Sequence, residues 1–286
     1  MKNILYALLF LAVADVLNTA GAEVLQPKED MTAEQLMSLW YDIEYTRFAR
    51  DYKNYNTFIL IDRNGSHRER KAFRSRITVQ RNGFDYKDFA VFLSPASIKG
   101  VAMLTWVYRD PQKEREQWFY LPSMKKARRS SPAEDDDNTM GTVLTVEEMS
   151  SWRPEHERYQ LLGVRNYSGY VSFMDGKKYE EGRICFLVEA FPKRQRALHA
   201  KRRYWLRKDD GCCILVEVFD HSDKLFKTIF RQFDKLGEKR YPAVVYLEAQ
   251  DLRTSEKTVI RGDKIMFDSG IDESQFTIEY LQRSQW

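Results

Sequence analysis

The sequence predicts a mainly β protein of the α+β class, with an antiparallel sandwich or barrel and few helices. Turn signals recur every ten to twenty residues, as at Asn64-Gly65, Asn82-Gly83 and Asp175-Gly176. Asn-Gly and Asp-Gly pairs tolerate the positive φ that tight hairpins need. The runs between them are short and rich in β-branched and aromatic residues, and none alternates with helices as in βαβ units. An antiparallel sheet is therefore expected.

Taken in chain order, the first element is a helix. Thr32 and Gln35 form a capping box, and apolar residues follow it at helical spacing. A second capping box, Thr145 with Glu148, predicts a short helix over residues 145–152. The predicted strands are 57–62, 74–80, 89–93, 101–108, 117–121, 169–173, 184–190, 203–207, 213–219, 225–233, 243–248, 257–260 and 276–281.

The two central strands, 101–108 and 117–121, carry apolar or aromatic residues on both faces. An antiparallel sheet with one wet face alternates cleanly between apolar and polar residues instead. Both faces of these strands therefore need cover. Periodicity alone favours an ordinary two-layer core over a sheet with one face lining a cavity.

The N-terminus predicts export. Lys2 precedes an unbroken apolar run over residues 4–13, and Ala20, Gly21 and Ala22 match the small-residue pattern that signal peptidase accepts. The run is too short to span a bilayer. We expect cleavage after Ala22, which leaves residues 23–286 as a single domain.

Composition excludes two classes of protein. The net charge of +4 is too small for a typical nucleic-acid binder, and the mean hydropathy of −0.58 with no later long apolar run predicts a soluble, unanchored product. The three cysteines are Cys185, Cys212 and Cys213. Export permits a disulfide, but adjacent strand positions face opposite ways, so only one of the last two could meet Cys185. Three half-buried thiols are the favoured alternative.

Two segments carry dense charge. Residues 123–138 run from a basic cluster to the acidic group Asp135–Asp137 and suggest an exposed loop. Residues 193–208 hold eight Lys and Arg side chains and no acid. This segment could meet anionic lipid headgroups, but a solvated hairpin is the simpler interpretation.

Motifs of catalysis or metal binding do not emerge from the sequence. The histidines at 67, 156, 199 and 221 have no partner at metal-ligand spacing, and P-loop, nucleophile-elbow and dinucleotide fingerprints are missing. We therefore expect neither an enzyme nor a cofactor.

The central segment carries a distinctive pattern. The stretch 89–100 contains Ser94-Pro95 and ends in Lys99-Gly100, and a Gln-Trp-Phe-Tyr-Leu-Pro strand at 117–122 leads to Arg128 and Arg129. This pattern resembles that of the bacterial outer-membrane lipoprotein-sorting family, which is related to the LolA and LolB carriers. The resemblance extends over nearly the whole mature chain, and the Tyr-Leu-Pro strand with its trailing arginines is its most specific part.

This resemblance implies a strongly curved antiparallel sheet forming an incomplete β-barrel, with helices plugging its open mouth and an apolar cavity between them. Its implied function is that of a periplasmic carrier of lipid or lipoprotein acyl chains, without a catalytic residue. Arg128 and Arg129 are assigned to gating or headgroup contact. The cavity candidates are Phe92, Leu104, Trp106, Trp118, Tyr120 and Leu121.

The resemblance also sets the expected partners. An inner-membrane transporter and an outer-membrane acceptor would hand over the cargo, and the carrier itself is expected to be a monomer without nucleic acid. The alternative is a non-enzymatic accessory module of an envelope transporter, which contacts its partner through residues 193–208.

One departure concerns the segment after the arginine pair. Relatives carry acids where this chain has Val143 and Met149. If an acid there normally pairs with the arginines to latch the mouth, the latch of this protein is altered, and Asp135–Asp137 could replace it.

Overall fold

The structure is a computed structural model that describes residues 25–47, 49–79, 81–130, 136–150, 152–195 and 197–283. The predicted signal peptide and its cleavage site lie outside these residues. Within them the mainly β class is confirmed, because one antiparallel sheet of 13 strands makes up most of the fold.

The sheet is a meander whose order departs from chain order at two places. Its order is β6-β5-β4-β3-β2-β1-β15-β14-β13-β12-β11-β10-β7, so the last long strand returns to pair with the first. β8 and β9 form a separate two-stranded hairpin, and the described strands do not close into a barrel. The strands are β1 (Asp51–Ile61), β2 (His67–Thr78), β3 (Phe84–Ser94), β4 (Ala102–Tyr108), β5 (Glu116–Leu121), β6 (Lys126–Arg129), β7 (Glu157–Asn166), β8 (Tyr170–Val171), β9 (Lys178–Tyr179), β10 (Ile184–Pro192), β11 (Lys201–Arg207), β12 (Cys213–Phe219), β13 (Leu225–Leu236), β14 (Tyr241–Asp251) and β15 (Lys257–Phe267).

The helices are short and lie before, between and after the strands. Both predicted capping boxes are present: Thr32 with Gln35 begins α1, and Thr145 with Glu148 begins α2. A π-helical turn continues α1 directly. The helical elements are α1 (Ala33–Tyr41), the π turn (Asp42–Thr46), 3-10 turns at Thr139–Gly141, Pro154–His156 and Glu273–Phe276, α2 (Val146–Ser150) and α3 (Ile278–Leu281).

The prediction of a strand over residues 276–281 was wrong. The chain there leaves a 3-10 turn and enters α3, with the Thr277 side chain accepting from the backbone N–H of Tyr280 at 3.1 Å. Phe276 and Leu281 are both fully buried against the sheet. Their apolar character, which suggested a strand, reflects packing of this segment onto the sheet.

Three strands were missed. β9 has only two residues, β6 lies in the basic part of the predicted loop, and β7 mixes charged, polar and apolar residues at an edge of the sheet. Edge strands need only one covered face and tolerate charge, so their composition resembles that of loops.

The largest buried cluster lies between α1 and the strands β10–β13. Trp40 is packed against Trp152 and Tyr204, with ring centroids 4.4 and 5.4 Å away. All three cysteines are free and fully buried. No helix among the described residues has the length and apolar character needed to span a membrane.

Candidate functional site

A partly enclosed cavity of about 200 Å³ lies on one face of the sheet. We call this side of β1–β5 the cavity face. Alternate residues of these strands point into the cavity, while α1, the π turn and residues 139–149, which we call the closing segment, cover it. Its apolar wall includes Trp40, Ile43, Tyr45, Phe58, Phe92, Met103, Phe119, Leu144, Met149, Leu247, Ile260, Ile265 and Phe267.

Strand register fixes which side chains share the cavity face. Cross-strand partners place Arg74, Ala90, Met103 and Phe119 in one row across β2–β5. Directly opposite residues of an antiparallel pair point to the same side. The row continues to Arg128 on β6, which pairs with Phe119.

The opposite side of the same strands, the reverse face, is closed by packed side chains. Leu104 and Trp118 are buried there beneath Phe276 and Leu281 of the C-terminal segment. Trp106 Nε1 donates to the Phe276 carbonyl at 2.9 Å, and its ring meets that of Trp118 edge-on at 4.7 Å. The C-terminal segment is therefore the cover that the apolar reverse face needs.

Of the six residues predicted to line the cavity, the structure places Phe92 on its wall. Leu104, Trp106, Trp118 and Tyr120 lie on the reverse face instead, in the cluster beneath the C-terminal segment. Leu121 is half-buried near the edge of the sheet and does not line the cavity. Met103 of β4 and Phe119 of β5, which line the cavity, are each one position away from a predicted residue. A shift of one position along a strand exchanges its two faces.

Arg128 and Arg129 lie on the edge strand β6, on opposite faces. Arg129 is exposed and pairs with Glu116, its Nη2 being 3.3 Å from Glu116 Oε1. Arg128 lies on the cavity face beyond Phe119, outside the cavity wall.

Sequence reasoning missed a buried charge cluster on the cavity face. Arg74 binds Asp88 through two nitrogens, at 3.0 and 2.7 Å, and Arg76 Nε donates to the same carboxylate at 2.8 Å. Burial alone would raise the pKa of Asp88, but the charges and hydrogen bonds of the two arginines outweigh burial and hold it below its usual value. Arg76 also lies over the Tyr86 ring, 4.3 Å from its centroid.

The signal for this cluster was present in the sequence. β2 carries Arg68, Arg70, Arg74 and Arg76, all on one face at period two. Charge at period two on a strand with apolar residues on the other face is usually solvated. Only the fold shows that the inner two arginines are enclosed.

Buried hydrogen bonds and ion pairs anchor the closing segment. Arg70 Nη1 donates to the Met140 carbonyl, and the backbone N–H of Val143 donates to Thr258 Oγ1 at 3.0 Å. Glu147 and Glu148 of α2 pair with Arg202 and Lys227 at 3.1 and 2.9 Å. The acids that hold the closing segment are therefore Glu147 and Glu148 of α2.

Val143 and Met149, which stand where the resemblance predicts acids, make apolar contacts in the structure. Val143 is buried in the main core, and Met149 packs against that core and lines the cavity. Asp136 pairs with Arg194 at 2.6 Å, and Asp135 lies outside the described residues. The contacts that hold the segment use Arg70, Arg202 and Lys227.

A second cavity, of about 430 Å³, lies beside α2 and is lined mainly by charged groups. There Glu157 accepts from Trp152 Nε1 at 2.8 Å and from the Tyr204 hydroxyl at 2.9 Å, and His199 Nε2 lies 3.8 Å away. Although it is larger, its lining is less apolar than that of the first cavity. Within the described ranges no group of three or more His, Cys, Asp or Glu side chains is arranged to hold a metal ion.

Solved structures share this architecture. An outer membrane lipoprotein-sorting protein domain from Vibrio parahaemolyticus is 22% identical, with a TM-score of 0.70 over 82% of this chain and 92% of that one. A LolA superfamily protein from Nitrosomonas europaea is 15% identical, with a TM-score of 0.62 over 87% and 99%. The protein therefore has the LolA-type fold.

A further solved structure and a family model also match the chain, and the family model shows the family. A DUF1329 family protein from Desulfovibrio piger is 21% identical, with a TM-score of 0.75 over 87% of this chain and 97% of that one. A family model described as an uncharacterized protein matches residues 85–283, more than half of the chain. The chain belongs to this family, DUF1329. No curated protein matches the sequence at a significant level.

Proposed function

We propose that this protein is a periplasmic carrier that holds lipid or lipoprotein acyl chains in the cavity and moves them towards the outer membrane. The observation that carries the proposal is the partly enclosed, largely apolar cavity on the cavity face of a sheet with the LolA-type fold. An ordinary core would fill this space with side chains, as the reverse face does.

The size of the cavity suits a hydrocarbon segment. An engineered apolar cavity of about 150 Å³ in another protein stays dry and binds benzene. Here the volume is about 200 Å³. Each buried methylene contributes about 0.8 kcal/mol, so a few methylene groups stabilise the complex by several kcal/mol.

The proposal includes the incomplete barrel. In it, the 13-stranded sheet curves around α1 and the π turn, and the closing segment forms a cover over the mouth. Residues 1–22 direct export and are removed, which leaves residues 23–286 as a single monomeric domain. Arg128, on the cavity face at the sheet edge, and its neighbour Arg129 contact the headgroup or gate entry.

No catalytic step is needed for this role. Phe92 remains a proposed ligand contact, and Met103 and Phe119 replace the reverse-face residues as its neighbours. An inner-membrane transporter and an outer-membrane acceptor are the partners that the role requires.

The test uses the mature chain purified from the periplasm of an expressing strain. Solvent extraction and mass spectrometry should recover a bound lipid, and the delipidated protein should take up a fluorescent fatty acid. The Ala90→Phe variant places a ring in the cavity and should abolish uptake while the protein still folds. Val171→Phe, at an exposed position of β8, is the matched control and should bind as the wild type does.

A protein that is repeatedly free of lipid, and whose uptake is absent or unaffected by Ala90→Phe, would refute the carrier function. Retained uptake in the control variant excludes a general effect of an added aromatic ring.

The alternative, an accessory module that docks through residues 193–208, has less support. Arg202 and Arg207 are buried, and they pair with acids of the same molecule. Arg203 and Lys201 share Glu189. Most basic side chains of residues 193–208 are thus already paired with acids of the same molecule, which leaves less positive charge to attract a partner.

A further inference from the structure

The cavity contains a buried cation with unused hydrogen-bonding capacity. Arg231 of β13 lines the cavity and is 8% exposed, yet its Nη1 has no hydrogen-bond partner. A guanidinium group carries five N–H donors, and a buried donor without an acceptor is costly. Such a group is an exception that calls for an explanation.

A second unused donor lies next to it. Trp40 of α1 lines the same cavity, is 3% exposed, and its Nε1 is also without a partner. The Arg231 guanidinium carbon lies 5.8 Å from the centroid of the Trp40 ring. Two residues from different elements, each with a buried donor that has no partner, are therefore neighbours in the cavity lining.

Among the described residues, no acid of the cavity wall forms an ion pair with Arg231. Asp88 is shared by Arg74 and Arg76, and Glu148 is bound to Lys227. Glu44 lies close enough to raise the pKa of Arg231 against the opposing effect of burial. The described side chains of Glu44 and Arg231 nevertheless form no ion pair, and Glu44 Oε2 is itself unpartnered.

We infer that the cavity selects amphiphiles with an anionic headgroup, a carboxylate or a phosphate, which accepts hydrogen bonds from Arg231 and Trp40 while the hydrocarbon lies along the apolar wall. Charge-assisted hydrogen bonds of this kind are short and strong, and arginine suits both anions. This inference rests on the proposed carrier function and specifies the cargo that the cavity accepts.

The experiment compares three ligands of equal chain length, below their micelle concentrations, on the delipidated mature protein. Isothermal titration calorimetry measures dodecanoate, dodecyl phosphate and 1-dodecanol. At least one anion should bind about tenfold more tightly than the alcohol, as one charge-assisted hydrogen bond provides. The tighter of the two anions identifies the headgroup as carboxylate or phosphate.

Arg231→Gln should bring the affinities for anion and alcohol to within about twofold and leave the alcohol affinity unchanged. Trp40→Phe removes the N–H donor together with part of the indole ring and should give a smaller loss of anion affinity. Arg158→Gln, at an exposed position of β7, is the matched control and should retain full selectivity. Thermal melting of each variant identifies any that fails to fold, in which case Trp40→Phe carries the test.

The outcomes separate the two proposals. If all three ligands bind the wild type equally, or if selectivity survives both Arg231→Gln and Trp40→Phe, the inference is wrong and the carrier function stands. If none of the three binds, the carrier function fails as well.

Discussion

The two faces of β3–β5 have similar apolar content but differ in how they are covered. The reverse face is filled by the C-terminal segment, where Phe276 and Leu281 have no exposed surface. The cavity face is covered at a distance by α1 and the closing segment, which leaves about 200 Å³ unfilled. Apolar strands therefore do not reveal which face is packed and which face can bind.

The difference extends to the forces that hold each face. Apolar contact, one tryptophan hydrogen bond and the Lys87–Glu273 ion pair stabilise the reverse face. The cavity face instead combines an apolar wall with the charge cluster of Arg74, Asp88 and Arg76. We expect substitutions on the reverse face to act mainly on stability, and those on the cavity face to act on binding or on charge-dependent stability.

The largest expected effect is that of Phe276→Ala. Removing a fully buried ring leaves a cavity and should lower the free energy of unfolding by about 4 kcal/mol. Fatty-acid uptake by the folded fraction should be unchanged, because Phe276 lies on the reverse face. Urea denaturation measures the first quantity and fluorescence titration the second; a loss of uptake in fully folded protein would contradict the division between the faces.

Asp88→Asn should follow, with a loss of about 3 kcal/mol, because it leaves the buried Arg76 and the partly buried Arg74 without a countercharge. Asp88 has a lowered pKa in the folded state, so its stabilisation is present above its unfolded pKa and is lost as pH falls through the folded value. Stability of the wild type measured by urea denaturation should therefore decline below about pH 4.

The Asp88→Asn variant should show less of this acid-dependent decline. Asp209→Asn, at an exposed acid, serves as the control and should follow the wild type. Equal acid dependence in all three proteins would show that the cluster does not stabilise the cavity face.

Phe92→Ala should cost about 1–2 kcal/mol, less than Phe276→Ala, because Phe92 is half-buried and already borders unfilled space. Fatty-acid uptake should fall clearly in this variant, whereas the loss in the free energy of unfolding should be modest. A stability loss as large as that of Phe276→Ala, without any change in uptake, would argue that the cavity face is an ordinary core.

The smallest effect is expected for Trp106→Phe, which removes the hydrogen bond to the Phe276 carbonyl but keeps an aromatic ring. A loss of about 1 kcal/mol in the free energy of unfolding is expected. Uptake should not change, and a thermal melt beside a fatty-acid titration tests both.

Local chemistry in the sequence determined much of the fold. The capping boxes at Thr32 and Thr145 mark helix starts because the side chain and backbone that make them are three residues apart. The hairpin turns located the strands, and the strand over 213–219 matches β12 at both ends. The resemblance around residues 89–122 led to the LolA-type fold and the family.

Only the tertiary structure decided the site. The sequence shows that β4 and β5 are apolar on both faces, but which face meets the cavity depends on where the C-terminal segment packs, more than 150 residues later in the chain. The burial of Arg76 and Arg231 likewise depends on contacts between distant strands and α1. Alternation along a strand defines two faces, whereas long-range packing determines what each face contacts.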